Sequence, residues 1–355
     1  MREVPPAHPT NVQCRACENR CIGGGLRGIT VIQINNYKQD KPTHTSSNDK
    51  IFHCSLCLQL ISVLALFALA SNLSVAQEYV LDPDWPQPLP EEIVWGQVPN
   101  VTMDHEGFIY AFHRSEPPVL KFDTDGNLVD SWGTEWIARP HGFRVAPDGS
   151  LWATDYHRQN GHTVTKFDTS GRVLLRLGAR GFTGTGPNTF NGPADVAVAP
   201  NGDVFVADGH WNNRIVKFNA EGRYLLEWGK KGSGPGELDV PHSIVIDARG
   251  RVMVADRSNE RVQIFDQEGN YLTEWDQFGR PSGLFIDDND VLYVADYEVK
   301  RGVTYGSAED GAVMGFIEGS EAEGVVVDAD GNVYTGEVTG GESGDGMIIR
   351  KFIKQ

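Results

Sequence analysis

The sequence predicts an all-β fold in which six four-stranded units close into a ring, and three observations lead there. First, a module recurs: Val206-Ala-Asp-Gly-His-Trp-Asn-Asn-Arg-Ile-Val-Lys-Phe-Asn219 returns as Val254-Ala-Asp-Arg-Ser-Asn-Glu-Arg-Val-Gln-Ile-Phe-Asp266 and opens again at Val294-Ala-Asp-Tyr297. Second, turn signals recur at Asp104-His-Glu-Gly107, Pro147-Asp-Gly149, Pro200-Asn-Gly202, Ala248-Arg-Gly250, Asp288-Asn-Asp290 and Asp328-Ala-Asp-Gly331. A companion set follows at Asp125-Gly126, Ser170-Gly171, Glu221-Gly222 and Glu268-Gly269. Third, the segments between these turns are β-branched and aromatic, as in Val204-Phe-Val-Ala207, so they read as hairpins and no helix of three turns is evident.

The first turns repeat at about 45 residues, the length of one four-stranded blade, and no such unit can bury its apolar face alone. The prediction is therefore a six-bladed β-propeller over residues 77–355. Trp132-Gly133, Leu177-Gly178 and Trp228-Gly229 close three blades. The last unit has fewer clear strands, so a strand from about Glu78 to Val94 is expected to complete it and tie the ring shut.

Residues 1–76 differ in kind. Leu58–Ala70 is an apolar run preceded by Lys50 and followed by Ser74-Val75-Ala76, with small residues placed for cleavage before Gln77. This is the pattern of a secretory signal peptide, too short for a comfortable membrane span; an uncut signal anchor is the alternative. The residues upstream of Lys50 are unusual for an export signal, which fits a start codon set too far upstream. The expected location is secreted or periplasmic, with no membrane contact after cleavage. All five cysteines (Cys14, Cys17, Cys21, Cys54, Cys57) precede the cut, so the mature chain is expected to carry no disulfide and no thiol chemistry. Their C-x2-C spacing also occurs in zinc sites, but the second pair adjoins the apolar run and no zinc module is expected there.

The formal charge is −17, and without residues 1–76 it becomes −20, from 24 basic against 44 acidic residues. No basic face offsets it, which argues against a nucleic-acid partner. A monomer is expected.

Aligning the units on their first turns brings Pro99, His141, Ala194, His242, Ser282 and Glu323 into one register, at the start of each innermost strand and at the mouth of the channel. His141, His242 and Glu323 fall in alternate blades, about 120° apart around the axis. Two histidines and a glutamate with an open position form a recognised catalytic zinc set. The plainer alternative is isolated polar residues at a wet channel mouth. A second ring holds Arg114, Tyr156, Gly209, Arg257, Tyr297 and Val338. Its arginines suit capture of a carboxylate, or salt bridges to nearby acids. His210 projects from the same rim, either as a group titrating near neutrality or as an exposed loop residue. Asp155, Asp208, Asp256 and Asp296 recur in register and read as turn-holding residues.

With these residues in place, the chain resembles NHL-repeat propellers, and among them the peptidyl-α-hydroxyglycine α-amidating lyases. The resemblance rests on Phe112-His-Arg114, Pro140-His-Gly142, Asp195-Val-Ala-Val198, Val206-Ala-Asp-Gly209 with Asn212–Val216, Pro241-His-Ser243 and Val254-Ala-Asp-Arg257. It implies zinc held by three channel histidines, a structural calcium, a tyrosine base and two arginines near the substrate. By position, His141 and His242 match zinc ligands, Arg114 and Arg257 match the arginines, and Val101 and Phe143 match positions whose backbone carbonyls bind calcium. The chain departs at three points: the third zinc histidine is Glu323, the tyrosine falls at His210, and the calcium-binding aspartate falls at Gly324. Glutamate can ligate zinc and histidine can act as base.

The expected function is thus an exported metal-dependent lyase. It would cleave the C–N bond of a peptidyl-α-hydroxyglycine, a small-molecule or peptide substrate bearing a carboxylate, to an amide and glyoxylate. His210 or Tyr156 would take the proton. Two alternatives stand beside it: a non-catalytic secreted propeller that binds a partner or acidic ligand, and a metal-dependent lactone or ester hydrolase.

Overall fold

The computed structural model describes residues 78–339 and 347–355, so the expectations for the signal peptide and the cysteines lie outside the described residues. The described chain forms six four-stranded antiparallel sheets, each running outward from an inner strand. The inner strands are Asn100–Met103, Pro140–Val145, Pro193–Val198, Pro241–Ile246, Gly283–Ile286 and Ala322–Val327, in blades one to six. The one helix among the described residues is a 3-10 turn at Arg257–Asn259.

The turn chemistry is what the sequence asks for. At the first of the turns, the Asp104 carboxylate accepts the amides of Glu106 and Phe108, both at 3.0 Å. Gly107, at φ +87°, supplies the left-handed residue that brings the chain back. The core is not central but lies between blades. Six apolar clusters each join two neighbouring sheets, as where Val196, Val206 and Phe218 of blade three meet Trp152 and Val164 of blade two. Each blade buries its face on the next, so the stabilisation is shared around the whole ring.

Closure comes from the N-terminal side, over a shorter strand than the expected 78–94. Tyr79–Asp82 pairs with Ile349–Lys354 as the outermost strand of blade six, in the register Tyr79↔Lys354 to Asp82↔Lys351. Beyond it, Pro83, Pro86, Pro88 and Pro90 have no amide to donate to a ladder, and the chain leaves the sheet. Tyr79 is buried and meets Tyr305 of blade five edge-on, with centroids 5.7 Å apart. Tyr79→Ala is expected to cost ~3 kcal/mol through the cavity it leaves, read as a lowered midpoint in urea unfolding.

Candidate metal centre at the channel mouth

All six first-ring positions, Pro99, His141, Ala194, His242, Ser282 and Glu323, line one small cavity at the channel mouth. They meet there because inner strands two, three, four and six each begin with a shift in pairing register, at Pro140/Phe143, Pro193/Asp195, Pro241/Ser243 and Ala322/Gly324. Such bulges turn a side chain out of the sheet's alternation, here toward the axis.

The histidines are anchored in matching ways. His141 Nδ1 donates to the carbonyl of Ala194 at 2.7 Å, and His242 Nδ1 donates to that of Ser282 at 2.8 Å. Each thus rests on the first-ring carbonyl of the next blade. Thr154 steadies the first anchor, its hydroxyl donating to the same Ala194 oxygen at 3.0 Å. With Nδ1 bound to a carbonyl, each ring turns Nε2 inward, the arrangement that prepares histidine to bind a metal.

Glu323 does point toward the imidazoles. Its Oε1 lies 3.3 Å from His141 Nε2 and 3.8 Å from His242 Nε2. Burial alone would raise its carboxyl. The contact with His141 and the charges of Arg114 and Arg257 outweigh burial and bring it below the ordinary carboxylate value. His141 Nε2 is buried and has no hydrogen bond of good geometry, yet it faces a carboxylate oxygen across a short gap. Two acceptors so placed repel unless a proton or a cation lies between them.

His210 reaches the same cluster. The ligand atoms of His141, His210 and His242 all lie within 4.8 Å of one another. Its ring stacks on Tyr156 at 4.5 Å and meets His141 edge-on at 4.4 Å. Neither expectation for it holds: Nε2 is buried and unpaired, so it is not an exposed loop residue. Burial, then the charges of His141, Arg114, Arg257 and Arg139, push its pKa well below the ordinary histidine value, so it stays neutral at neutral pH. Unlike His141 and His242, it has no hydrogen bond to either ring nitrogen among the described residues.

The second ring also assembles. Arg257 donates from Nη1 to His242 Nε2 at 3.1 Å, from Nη2 to Glu298 at 2.6 Å, and also to the Tyr297 hydroxyl. A cation at His242 Nε2 would compete with Arg257 for that lone pair. Burial, then Arg257, His141 and His210, lower the His242 pKa well below its ordinary value. Arg114 lies over the Tyr156 ring at 5.3 Å and donates to Gln97 at 2.9 Å. The salt-bridge alternative therefore holds for Arg257, whereas Arg114 has no ion pair among the described residues. Gly209 must be glycine, since a Cβ there would sit 1.8 Å from the Pro241 carbonyl oxygen. The recurring aspartates do hold turns: Asp155 accepts the amides of Ala138, Arg139 and His157 at 2.7, 3.0 and 2.9 Å.

The residues present do not fit the calcium ion that the resemblance implies at Val101 and Phe143. A Cβ on Gly324 would lie 2.7 Å from Asn100 Cα, so no carboxylate can be mounted there. A fixed cation already stands close by. Arg144 Nε and Nη2 lie 3.0 and 2.5 Å from the two oxygens of Asp195, and Nη2 also donates to Ser243 Oγ at 3.0 Å. Asp195 and Ser243 line the same cavity as the first ring. The sequence reading missed this arginine, as it missed Arg139, whose Nε donates to the Tyr156 hydroxyl at 2.7 Å.

Comparison with known proteins agrees with this architecture. The NHL repeat family model matches residues 190–218 and 238–265. Mouse NHL repeat-containing protein 3 is 34% identical over 222 residues, covering 59% of this chain and 63% of that protein. A probable peptidyl-alpha-hydroxyglycine alpha-amidating lyase of Caenorhabditis elegans is 32% identical over 193 residues, 47% of this chain and 54% of that one. Rat peptidylglycine alpha-amidating monooxygenase is 33% identical over 211 residues, 48% of this chain and 21% of that one. The matched part is thus less than two thirds of the length of each. Among solved structures, a streptogramin B lyase superposes with TM-score 0.54 at 12% identity, covering 78% of this chain and 98% of that one. A gluconolactonase of Xanthomonas campestris does so with TM-score 0.55 at 15% identity, covering 74% and 87%. At such identities the shared property is the fold. The chain is a six-bladed β-propeller whose residues 190–218 and 238–265 match the NHL repeat, similar in sequence both to NHL repeat-containing protein 3 and to the peptidyl-α-hydroxyglycine α-amidating lyases.

Proposed function

We propose that this propeller is an exported metal-dependent lyase that converts a peptidyl-α-hydroxyglycine-type substrate to a peptide amide and glyoxylate. The observation that carries the reading is the inward Nε2 of His141 set against Glu323 Oε1 at 3.3 Å, beside the equally anchored His242. His141, His242 and Glu323 would hold a divalent cation, and the two-nitrogen, one-oxygen donor set suits zinc. Such an ion would supply Lewis-acid polarisation of the substrate hydroxyl. A catalytic site keeps an open position, so not all four neighbouring side chains serve as ligands. His210, neutral and without an anchor, is the one left to accept a proton.

The substrate carboxylate would lie against Arg114 and Arg257, on the face of the ring from which His210 projects. His210 Nε2 takes the proton of the α-hydroxyl while the carbinol C–O becomes a carbonyl and the C–N bond breaks. The bonding pair leaves with the amide nitrogen, which gains a proton, so the products are the amide and glyoxylate. Tyr156, stacked on His210 and bonded to Arg139, fixes the plane of that imidazole.

The test joins elemental analysis of the purified protein with glyoxylate release from an α-hydroxyhippurate-type substrate. One bound divalent ion and metal-dependent release are expected. A metal-free protein without turnover would favour the binding-propeller reading. Turnover confined to a panel of esters and lactones would favour the hydrolase reading.

A further inference from the structure

Beside the channel mouth lies a second, open pocket of about 490 Å³, lined by Arg139, Tyr156, His157, Arg158, Gln159 and Trp211. Its volume falls in the range of small-ligand sites. The segment that builds it is the turn after the second strand of blade two. Between Asp155 and Thr163 the turn is longer than the corresponding Gly209–Asn213 of blade three, and the excess projects outward as Arg158 and Gln159. The segment is held from within: Asp155 takes the His157 amide at 2.9 Å, and His157 Nδ1 accepts the amides of Gln159 and Asn160 at 3.2 and 3.1 Å.

The pocket's charge is unusual for this protein. The chain carries a formal −17 and most arginines among the described residues are ion-paired. Yet both arginines of the pocket, Arg139 and Arg158, pair with no carboxylate there, a condition shared only with Arg114, Arg176 and Arg180 among the described residues. Arg139 is held at Tyr156 by the bond from its Nε to the hydroxyl at 2.7 Å, which leaves its Nη groups toward the pocket, while Arg158 lies over the Trp211 ring at 4.7 Å. Stacking of this kind holds a guanidinium plane in place while leaving its in-plane N–H groups to bind an anion. Asp155, the acid adjoining the pocket in sequence, is buried and already takes three backbone amides.

We infer that this pocket is a specificity subsite for a carboxylate side chain, glutamate or aspartate, on the residue that precedes the reacting glycine. The assignment rests on the proposed lyase reading for the orientation of the peptide. Tyr156 is shared by both sites, lining this pocket while its ring lies 4.5 Å from His210 and 5.1 Å from His141. A substrate whose terminal carboxylate meets Arg114 and Arg257 therefore extends its preceding side chain toward Arg139 and Arg158.

The test is calorimetric titration of the metal-loaded protein with N-acetyl-Glu-Gly, N-acetyl-Gln-Gly and N-acetyl-Phe-Gly, which lack the hydroxyl and are not cleaved. The glutamyl peptide should bind ~10-fold tighter than the glutaminyl peptide, and the difference should shrink as salt rises. Arg158→Gln should bring the two together. Equal affinities, a preference that survives Arg158→Gln, tightest binding of the phenylalanyl peptide, or no binding of any peptide would each overturn the subsite. Absence of glyoxylate release with the glutamyl preference intact would count against the lyase reading alone.

Discussion

His210→Ala should leave the bound metal in place and remove turnover, whereas His141→Ala should remove both. The contrast follows from how the two rings are held. His141 is locked by its Nδ1 bond to the Ala194 carbonyl, with Nε2 turned toward Glu323. Losing a ligand so prepared should weaken metal affinity by at least ~100-fold, the upper end of what outer partners alone contribute. His210 has no such anchor, and its buried Nε2 has no partner. As the proton acceptor, its loss should lower kcat by ~100- to 10,000-fold. Metal content by elemental analysis and kcat from glyoxylate release separate the two roles. Loss of metal on His210→Ala would move this residue into the ligand set and shift the proton to Tyr156.

The same placement fixes the sign of the pH dependence. Burial and the surrounding positive charge lower the pKa of His210 below that of a free histidine. Its basic form therefore persists to more acidic pH, and the acid limb of kcat/KM should fall below pH ~6.5. A limb at or above that value would contradict the assignment.

The first ring was legible in the sequence because the turn that ends each inner hairpin is marked by glycine or aspartate at a constant offset. Counting back from Gly149, Gly250 and Gly331 reaches His141, His242 and Glu323 without any knowledge of the fold. The second ring was legible for the same reason. His210 was found as a residue but not as a neighbour of His141, because its approach depends on the sharp passage of Gly209 against the Pro241 carbonyl. Arg144 and Arg158 were missed because each occurs in one unit only, and Arg139 because its one counterpart, Arg280 in the Arg-Pro-x-Gly run of blade five, was not aligned with it. Arg139 precedes a strand, Arg158 sits in an enlarged turn, and Arg144 departs from the apolar character of Ala197, Val245, Phe285 and Val326 at its own register position. A repeat announces what its units share; Arg144 and Arg158 are what one unit adds. The closing strand was placed correctly but drawn too long, although the prolines that end it were visible.

Arg144→Met should be among the most destabilising single substitutions in the ring. Arg144 and Asp195 form a bidentate pair whose side chains are 12% and 2% exposed. Removing one partner of such a pair leaves a buried charge uncompensated, at a cost of ~3–5 kcal/mol. Asp195 keeps the Ser243 hydroxyl at 2.7 Å and the amides of Val196 at 2.9 Å and Ile244 at 3.2 Å, so the lower end, ~3 kcal/mol, is expected. For a domain of this size that corresponds to a melting temperature lower by about 5 °C. The guanidinium also joins three blades, donating from blade two to Asp195 of blade three and Ser243 of blade four. Its loss should therefore loosen the ring at the channel, in the layer beside the candidate metal ligands, and not at a rim. Arg144→Met combined with Asp195→Asn should recover part of the loss, because the stranded charge goes with it. Calorimetric melting of the two variants decides the matter: equal melting temperatures for the parent and Arg144→Met would mean that the carboxylate is compensated elsewhere and that no internal cation is needed in the channel.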